Sequence, residues 1–124
     1  MDKYQALQNF WSSYGIDAYD ESTVPTGDYK PELPYVTYDI SVSDFNHPIP
    51  LHASIWYYGS SWKPITEKLV EIESDIGVGG KIVPCEKGAI WIKKASPFAQ
   101  RLSDPDDMIR RIYLSISAEY LIAE

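Results

Sequence analysis

The chain is poor in the residues that carry most small-enzyme chemistry. Its 124 residues include one cysteine and two histidines. A single cysteine excludes an intrachain disulfide and fits a reducing compartment. The serines lack a Gly-x-Ser-x-Gly elbow, and neither His47 nor His52 has a partner at the spacing of a zinc site. The sequence therefore predicts that the protein is not an enzyme and has no cofactor and no metal site.

Long apolar runs are also missing. No stretch approaches the roughly 20 apolar residues that a membrane-spanning helix needs. The first residues, Met1–Tyr4, show no apolar core of the kind that a secretory signal carries. We therefore expect no membrane partner and a cytosolic location when the chain is made.

Positive charge is scarce. The chain has 11 basic and 18 acidic side chains, for a net charge of −7. Proteins that bind nucleic acid gain affinity by neutralising phosphates, so this balance disfavours direct sequence-specific nucleic-acid binding. A local basic face stays open as an alternative to a solvated set of charges: Lys93, Lys94, Arg101, Arg110 and Arg111.

What the chain has is apolar periodicity. Hydrophobic residues make up 44% of it, and its length fits one domain, residues 1–124, with a core that needs no disulfide. Apolar residues at spacings of three and four predict helices over residues 2–14 and 61–76. Asp2 followed by Gln5 resembles a capping box, and Gly15 and Gly77 are placed to end the helices.

Alternating apolar and polar residues predict the strands. Prolines and glycines predict two long loops, over residues 20–34 and 96–109. Hairpin-length links favour a mainly antiparallel sheet. We therefore predict an α+β fold of two layers, in the order helix–strands–helix–strands, with two helices packed on one face of the sheet. The predicted strands cover residues 16–19, 35–42, 51–58, 80–86, 89–95 and 110–122.

Three segments resemble functional motifs, and each has a simpler explanation. Gly77–Lys81 lacks the spacing of a phosphate loop and follows a helix, so we interpret it as a turn. The acids of Ser103–Asp107 supply too few ligands for calcium and favour a turn. Cys85, after Pro84 in a strand, is predicted to be a structural thiol.

The aromatic residues are more numerous than one sheet face needs. There are 17 of them, and residues such as Tyr58, Trp91 and Tyr113 are expected on an uncovered face of the sheet. Tyrosine, tryptophan and arginine are enriched at protein–protein interfaces, although partial exposure without a partner is an equal alternative. The predicted interface residues are Tyr29, Tyr58, Trp91, Phe98, Arg101, Arg110, Arg111 and Tyr113.

Several short segments together resemble those of small tail proteins encoded in prophages of Gram-positive bacteria. The order of elements is similar to that of the tail terminator proteins of long-tailed phages. The resemblance covers nearly the whole chain. The segments are Phe10–Trp11 with Tyr14–Ile16, Leu33–Tyr38, Ser54–Tyr57, Pro97–Arg101 and Arg110–Tyr113.

The resemblance implies a structural virion protein rather than an enzyme. Tail terminators, a kind of head–tail joining or minor tail protein, form a ring, commonly a hexamer, that caps the tail tube. The partners would be further copies of the chain, the tail tube and the head-completion proteins. The protein would lie in the host cytoplasm during assembly and then in the virion tail. The acidic balance would suit a channel that DNA passes without sticking, because like charges repel.

A different class of function is the main alternative. A small α+β enzyme or ligand-binding domain would hold a pocket between the second helix and the sheet. The polar strand residues Asp39, His52 and Glu119 motivate this reading. Converging acids or histidine in a deep pocket would favour it, and a filled core would disfavour it.

Overall fold

A computed structural model describes residues 1–24, 31–42 and 47–123 of the chain. It contains two helices and six strands in these residues. No helix in the described ranges is long and apolar enough to cross a membrane. The elements are α1 (Lys3–Ser12), β1 (Asp17–Asp20), β2 (Tyr35–Tyr38), β3 (Ile49–Tyr58), α2 (Lys63–Ile76), β4 (Lys81–Cys85), β5 (Gly88–Leu102) and β6 (Ile109–Ile122).

Both predicted helices form. Helix α1 begins after Asp2, whose Oδ1 accepts a hydrogen bond from the Gln5 amide at 2.8 Å. Its buried stripe includes Leu7, Phe10 and Trp11. Helix α2 begins near Ser61, whose Oγ accepts from the Lys63 amide at 3.0 Å. The apolar spacing therefore determined these two elements to within a few residues.

The six strands form one mixed sheet in the order β1-β2-β3-β6-β5-β4. The pair β1–β2 is parallel, and the other neighbouring strands are antiparallel. Strand β6 lies between β3 and β5 and pairs with both over most of its length. The long C-terminal strand is thus the centre of the sheet.

The predicted fold class, a two-layer α+β domain with a mainly antiparallel sheet, was wrong. Strands make up 46% of the structure and form a curled, mixed sheet. Helix α1 contacts β1 and β2 at one end of the sheet and β4 at the other. A flat layer would not bring both ends to one helix. The twist of long strands accumulates across a sheet and bends it, so the core lies inside a curl rather than between two flat layers.

The predicted loop at 96–109 was also wrong in its first half. Strand β5 continues to Leu102 by means of a bulge: Lys94 pairs with Ile116, and the next paired residue, Ala99, is opposite Leu114. Pro97 lies in the bulge, where its lack of an N–H removes no ladder hydrogen bond. The proline that predicted a loop instead marks an irregularity within a strand.

The sheet has an inner and an outer face. The inner face carries alternate residues of each strand, which form one apolar cluster with the buried residues of both helices. On β6 these are Ile112, Leu114, Ile116, Ala118 and Tyr120, all at most 1% exposed. The intervening residues, such as Tyr113 and Glu119, belong to the outer face and are half-buried. This pattern confirms the alternation predicted for the last strand.

Candidate functional site

The outer face of the sheet carries a row of aromatic side chains across four strands. The rings of Tyr19 on β1 and Tyr35 on β2 meet edge to face, with centroids 5.7 Å apart. Tyr35 in turn lies 6.4 Å from the ring of Trp56 on β3. The Trp56 indole donates a hydrogen bond to Thr37 Oγ1 at 2.9 Å, which fixes the orientation of the ring. Ring contacts and a hydrogen bond within the chain therefore hold the row together.

Arg111 on β6 continues this row. Its guanidinium carbon lies 4.5 Å from the Trp56 ring centroid and 5.9 Å from that of Tyr113. Its Nε donates to the hydroxyl of Ser54 at 3.0 Å, and Ser54 is only 3% exposed. Within the described ranges, Arg111 forms no salt bridge and its two terminal nitrogens have no hydrogen-bond acceptor. The guanidinium is therefore held in place by Nε and the two rings, while its two terminal nitrogens have no acceptor among the described residues.

His52 and Asp39 complete the row on the far side of Tyr113. The imidazole stacks on the Tyr113 ring at 5.4 Å, with the two planes 13° apart. Asp39 contacts His52 twice, at the ring Nδ1 (3.1 Å) and at the backbone amide (2.8 Å). The His52 amide thus donates to a side chain and not to a backbone carbonyl of the neighbouring strand. Strand β2 ends at Tyr38, before the predicted end at residue 42.

Glu119 does not join Asp39 and His52. His52 pairs with Ser115, whereas Glu119 pairs with Trp91. Four residues along a strand span roughly 13 Å. Only two of the three polar residues that motivated an enzymatic reading therefore lie together.

The space between α2 and the sheet is filled. Ile65, Ile72 and Ile76 of α2 are at most 1% exposed and pack into the apolar cluster. Three depressions elsewhere on the described surface are open; one of them, of about 310 Å³, lies beside Trp62 and Arg110. The described residues contain no group of three side chains that could bind a metal. A filled core is the outcome that disfavours a ligand pocket at this place.

Trp91 lies on the outer face near the β4 end of the sheet. Its indole donates to the Gly79 carbonyl at 3.1 Å, and the Lys93 ammonium lies 3.6 Å from its ring centroid. Ile82 on β4 pairs with it and is 53% exposed. Together they form an apolar corner at the edge of the sheet.

Arg101 and Arg110 lie apart from Arg111, around Trp62 at the start of α2. Their guanidinium carbons are 4.6 Å and 5.2 Å from the Trp62 ring centroid. Arg110 also donates to the carbonyls of Ser60 (2.8 Å) and Asp107 (2.6 Å), so it links the β5–β6 turn to the segment between β3 and α2. These contacts give Arg110 a structural task.

The remaining predicted interface residues are dispersed. Tyr58 is 65% exposed at the end of β3. Phe98 packs partly against the core at the β5 bulge. Tyr29 lies outside the described residues. The structure therefore brings Arg111 and Tyr113 together on the outer face, with Trp91 and, at the end of β3, Tyr58 on the same face, and the others elsewhere.

Three smaller predictions, two turns and a thiol in a strand, concern residues that the structure describes. Asp104 and Asp106 each accept a backbone amide bond two residues on, at 2.9 Å, as a turn requires. The segment 77–80 links α2 to β4. Cys85 lies in β4, and burial raises the pKa of its thiol, which disfavours the reactive thiolate.

Sequence reasoning did not select Trp56, Ser54 or Thr37 as interface residues. The signal was present in the alternation of β3, which places Trp56 and Ser54 opposite the buried Ile55. The alternation does not predict which residue lies beside Trp56. In the sheet it pairs with Arg111, which is 55 positions away in the chain.

Comparisons with known proteins give a similarity of fold only. No protein-family model matches the chain, and no curated protein sequence matches it. Among solved structures, a chain of the virion of a native gene transfer agent particle has a similar fold, with a TM-score of 0.56. The two sequences are 20% identical, and the match covers 93% of this chain and 88% of the other.

Proposed function

We propose that this protein is a structural subunit of a phage-type virion, and that it acts at the end of the tail. The observation that carries the proposal is the fold shared with a virion chain over 93% of this chain. A match of that extent involves most of the chain rather than a single motif. The proposed role is assembly and not catalysis.

The outer face supports a role in contacts between proteins. It presents Trp56, Tyr113 and Arg111, the residue types that dominate binding energy at interfaces. These side chains are already ordered by stacking and hydrogen bonds, so they would lose little conformational freedom when a partner binds.

The finer role is a tail terminator or head–tail joining subunit. It follows from the resemblance of the segments around Trp11, Tyr35 and Arg111 to prophage tail proteins. In this role the chain forms a ring, a hexamer by that resemblance, which caps the tail tube and joins it to the head-completion proteins. It assembles in the host cytoplasm and remains in the virion tail.

Removal of the gene from its phage or prophage tests this proposal. We expect long tails that lack heads, because an uncapped tube keeps growing and does not join a head. A plasmid copy of the gene should restore normal particles. Normal tails and normal infectivity without the gene would contradict the proposal.

A further inference from the structure

The three arginines of the chain differ in what their guanidinium groups do. Arg110 donates to three backbone carbonyls, and Arg101 is stacked on Trp62. Arg111 alone is fixed on the outer face, between two aromatic rings and with Nε bonded to Ser54. A guanidinium fixed in this way, with both terminal nitrogens unused, is prepared for a planar, bidentate anion such as a carboxylate.

The same chain presents an unused carboxylate at the tip of the β5–β6 turn. In that turn, Asp104 and Asp106 each spend an oxygen on a backbone amide. The Asp107 side chain is exposed and forms no hydrogen bond or salt bridge with the described residues. The three acids lie within four positions, which concentrates negative charge on this turn, beside Trp62 and Arg110.

We propose that Arg111 of one copy binds the Asp107 carboxylate of a second copy. The inference rests on the proposed assembly function and names the contact between its subunits. Within one chain these two side chains are not in contact. Because each copy carries both groups, the same contact can repeat from one copy to the next.

A nucleic-acid phosphate is the other chemistry that a free guanidinium could bind. The charge of the chain disfavours it: the net charge is −7, and Asp39 and Glu119 lie on or beside the same face. A single arginine among these acids would neutralise few phosphates. A carboxylate from an acidic turn, in contrast, needs only one guanidinium to bind it.

Charge exchange tests the pair. The variants Arg111→Asp and Asp107→Arg are each made in the full chain, and sedimentation measures association at concentrations up to about 1 mM. Each variant alone should associate at least tenfold more weakly than the wild type. An equimolar mixture of the two, and the double variant, should regain association because every contact again joins opposite charges.

Lys87→Asp is the matched control. It makes the same change in net charge at an exposed position of the β4–β5 turn, at the opposite end of β6 from Arg111, and it should associate like the wild type. Far-UV circular dichroism and thermal melting establish that each variant is folded. A variant that fails to fold is replaced by Arg111→Gln or Asp107→Asn, which should weaken association in the same direction.

Four results would overturn the pair. They are a wild-type protein that stays monomeric throughout, an Arg111→Asp variant that associates normally, a mixture that fails to recover, and salt-dependent binding of an oligonucleotide that Arg111→Asp abolishes. Particles that contain the protein while it does not self-associate leave the proposed function standing and reject this contact. If the protein associates through this contact but removal of the gene has no effect on tails, the contact is supported and the proposed function is rejected.

Discussion

At the scale of single residues, the filling of the core decides stability. Ile72 on α2 is completely buried, whereas Val70 on the same helix is 53% exposed. We expect Ile72→Ala to lower the free energy of unfolding by about 2–5 kcal/mol, because it removes buried carbons and leaves a cavity. Val70→Ala should change it by about 0.5 kcal/mol or less. Urea unfolding measures both, and similar losses would mean that α2 does not pack as described.

A polar cluster at the ends of α1 and α2 gives stability a dependence on pH. Asp75 Oδ2 accepts from the Lys81 ammonium at 2.6 Å and from the Tyr14 hydroxyl at 2.8 Å. The bond from Lys81, then that from Tyr14, holds the pKa of Asp75 below its usual range. Burial, followed by the bond to Asp75, raises the pKa of Tyr14. Both pKa shifts indicate that the folded state favours the ionised form of the Asp75 carboxylate and the neutral form of the Tyr14 hydroxyl.

A carboxyl group whose pKa is lower in the folded state stabilises the fold above its unfolded pKa of about 3.9, and the effect is lost as the pH falls through the folded pKa. Asp75→Asn should therefore unfold more easily than the wild type at pH 7, by less than about 1 kcal/mol because the side chain is about one-third exposed. The difference should shrink below about pH 4.

Urea midpoints at pH 7, 4 and 3 measure this difference. Glu73→Gln is the control, because it removes an exposed carboxylate from the same helix. A difference for Asp75→Asn that persists unchanged at pH 3 would show that the charge is not its source.

The candidate site shows what single residues reveal in advance. Arg111 and Tyr113 were identifiable from residue type and strand alternation. The contacts that make Arg111 ready to bind came from Trp56 and Ser54 on another strand. A pairing across that much chain is set by the assembled sheet, which no local pattern encodes.

At the scale of elements, the close pairing of β5 and β6 leaves no room at Gly88. A Cβ built there would lie 2.0 Å from the Leu121 carbonyl oxygen, a backbone atom that cannot move aside. Gly88→Ala should therefore cost about 1–3 kcal/mol of stability as the two strands separate. The same change at Gly79, where nothing lies within 4 Å, should cost about 0.5 kcal/mol or less.

Thermal or urea unfolding of the two glycine variants distinguishes them. Equal stability would mean that the start of β5 does not approach β6 as closely as the structure has it. The comparison also tests the register of the central hairpin, because a slip of one residue would bring a different atom to Gly88.

Elements with a strong local period were the predictable part. The stripe of Leu7, Phe10 and Trp11 identified α1, and the alternation from Ile112 onward identified β6. The extension of β5 through Pro97 was missed, because a proline normally ends a strand and its tolerance here depends on the bulge against β6.

At the scale of the whole molecule, the curvature of the sheet could not be predicted from local sequence patterns. The parallel pairing of β1 with β2 and the arrival of both sheet ends at α1 depend on contacts between distant parts of the chain. Those contacts produce a curl where two flat layers were expected. Among the described residues, neither helix covers the outer face of the curled sheet, and the row of aromatic residues with Arg111 lies there.

The proposed role, a virion subunit that ends tail growth, is tested by the distribution of tail lengths in particles produced without the gene, measured by electron microscopy. We predict headless tails with a broad distribution that extends well beyond the normal length. Tails of normal length joined to heads would contradict it.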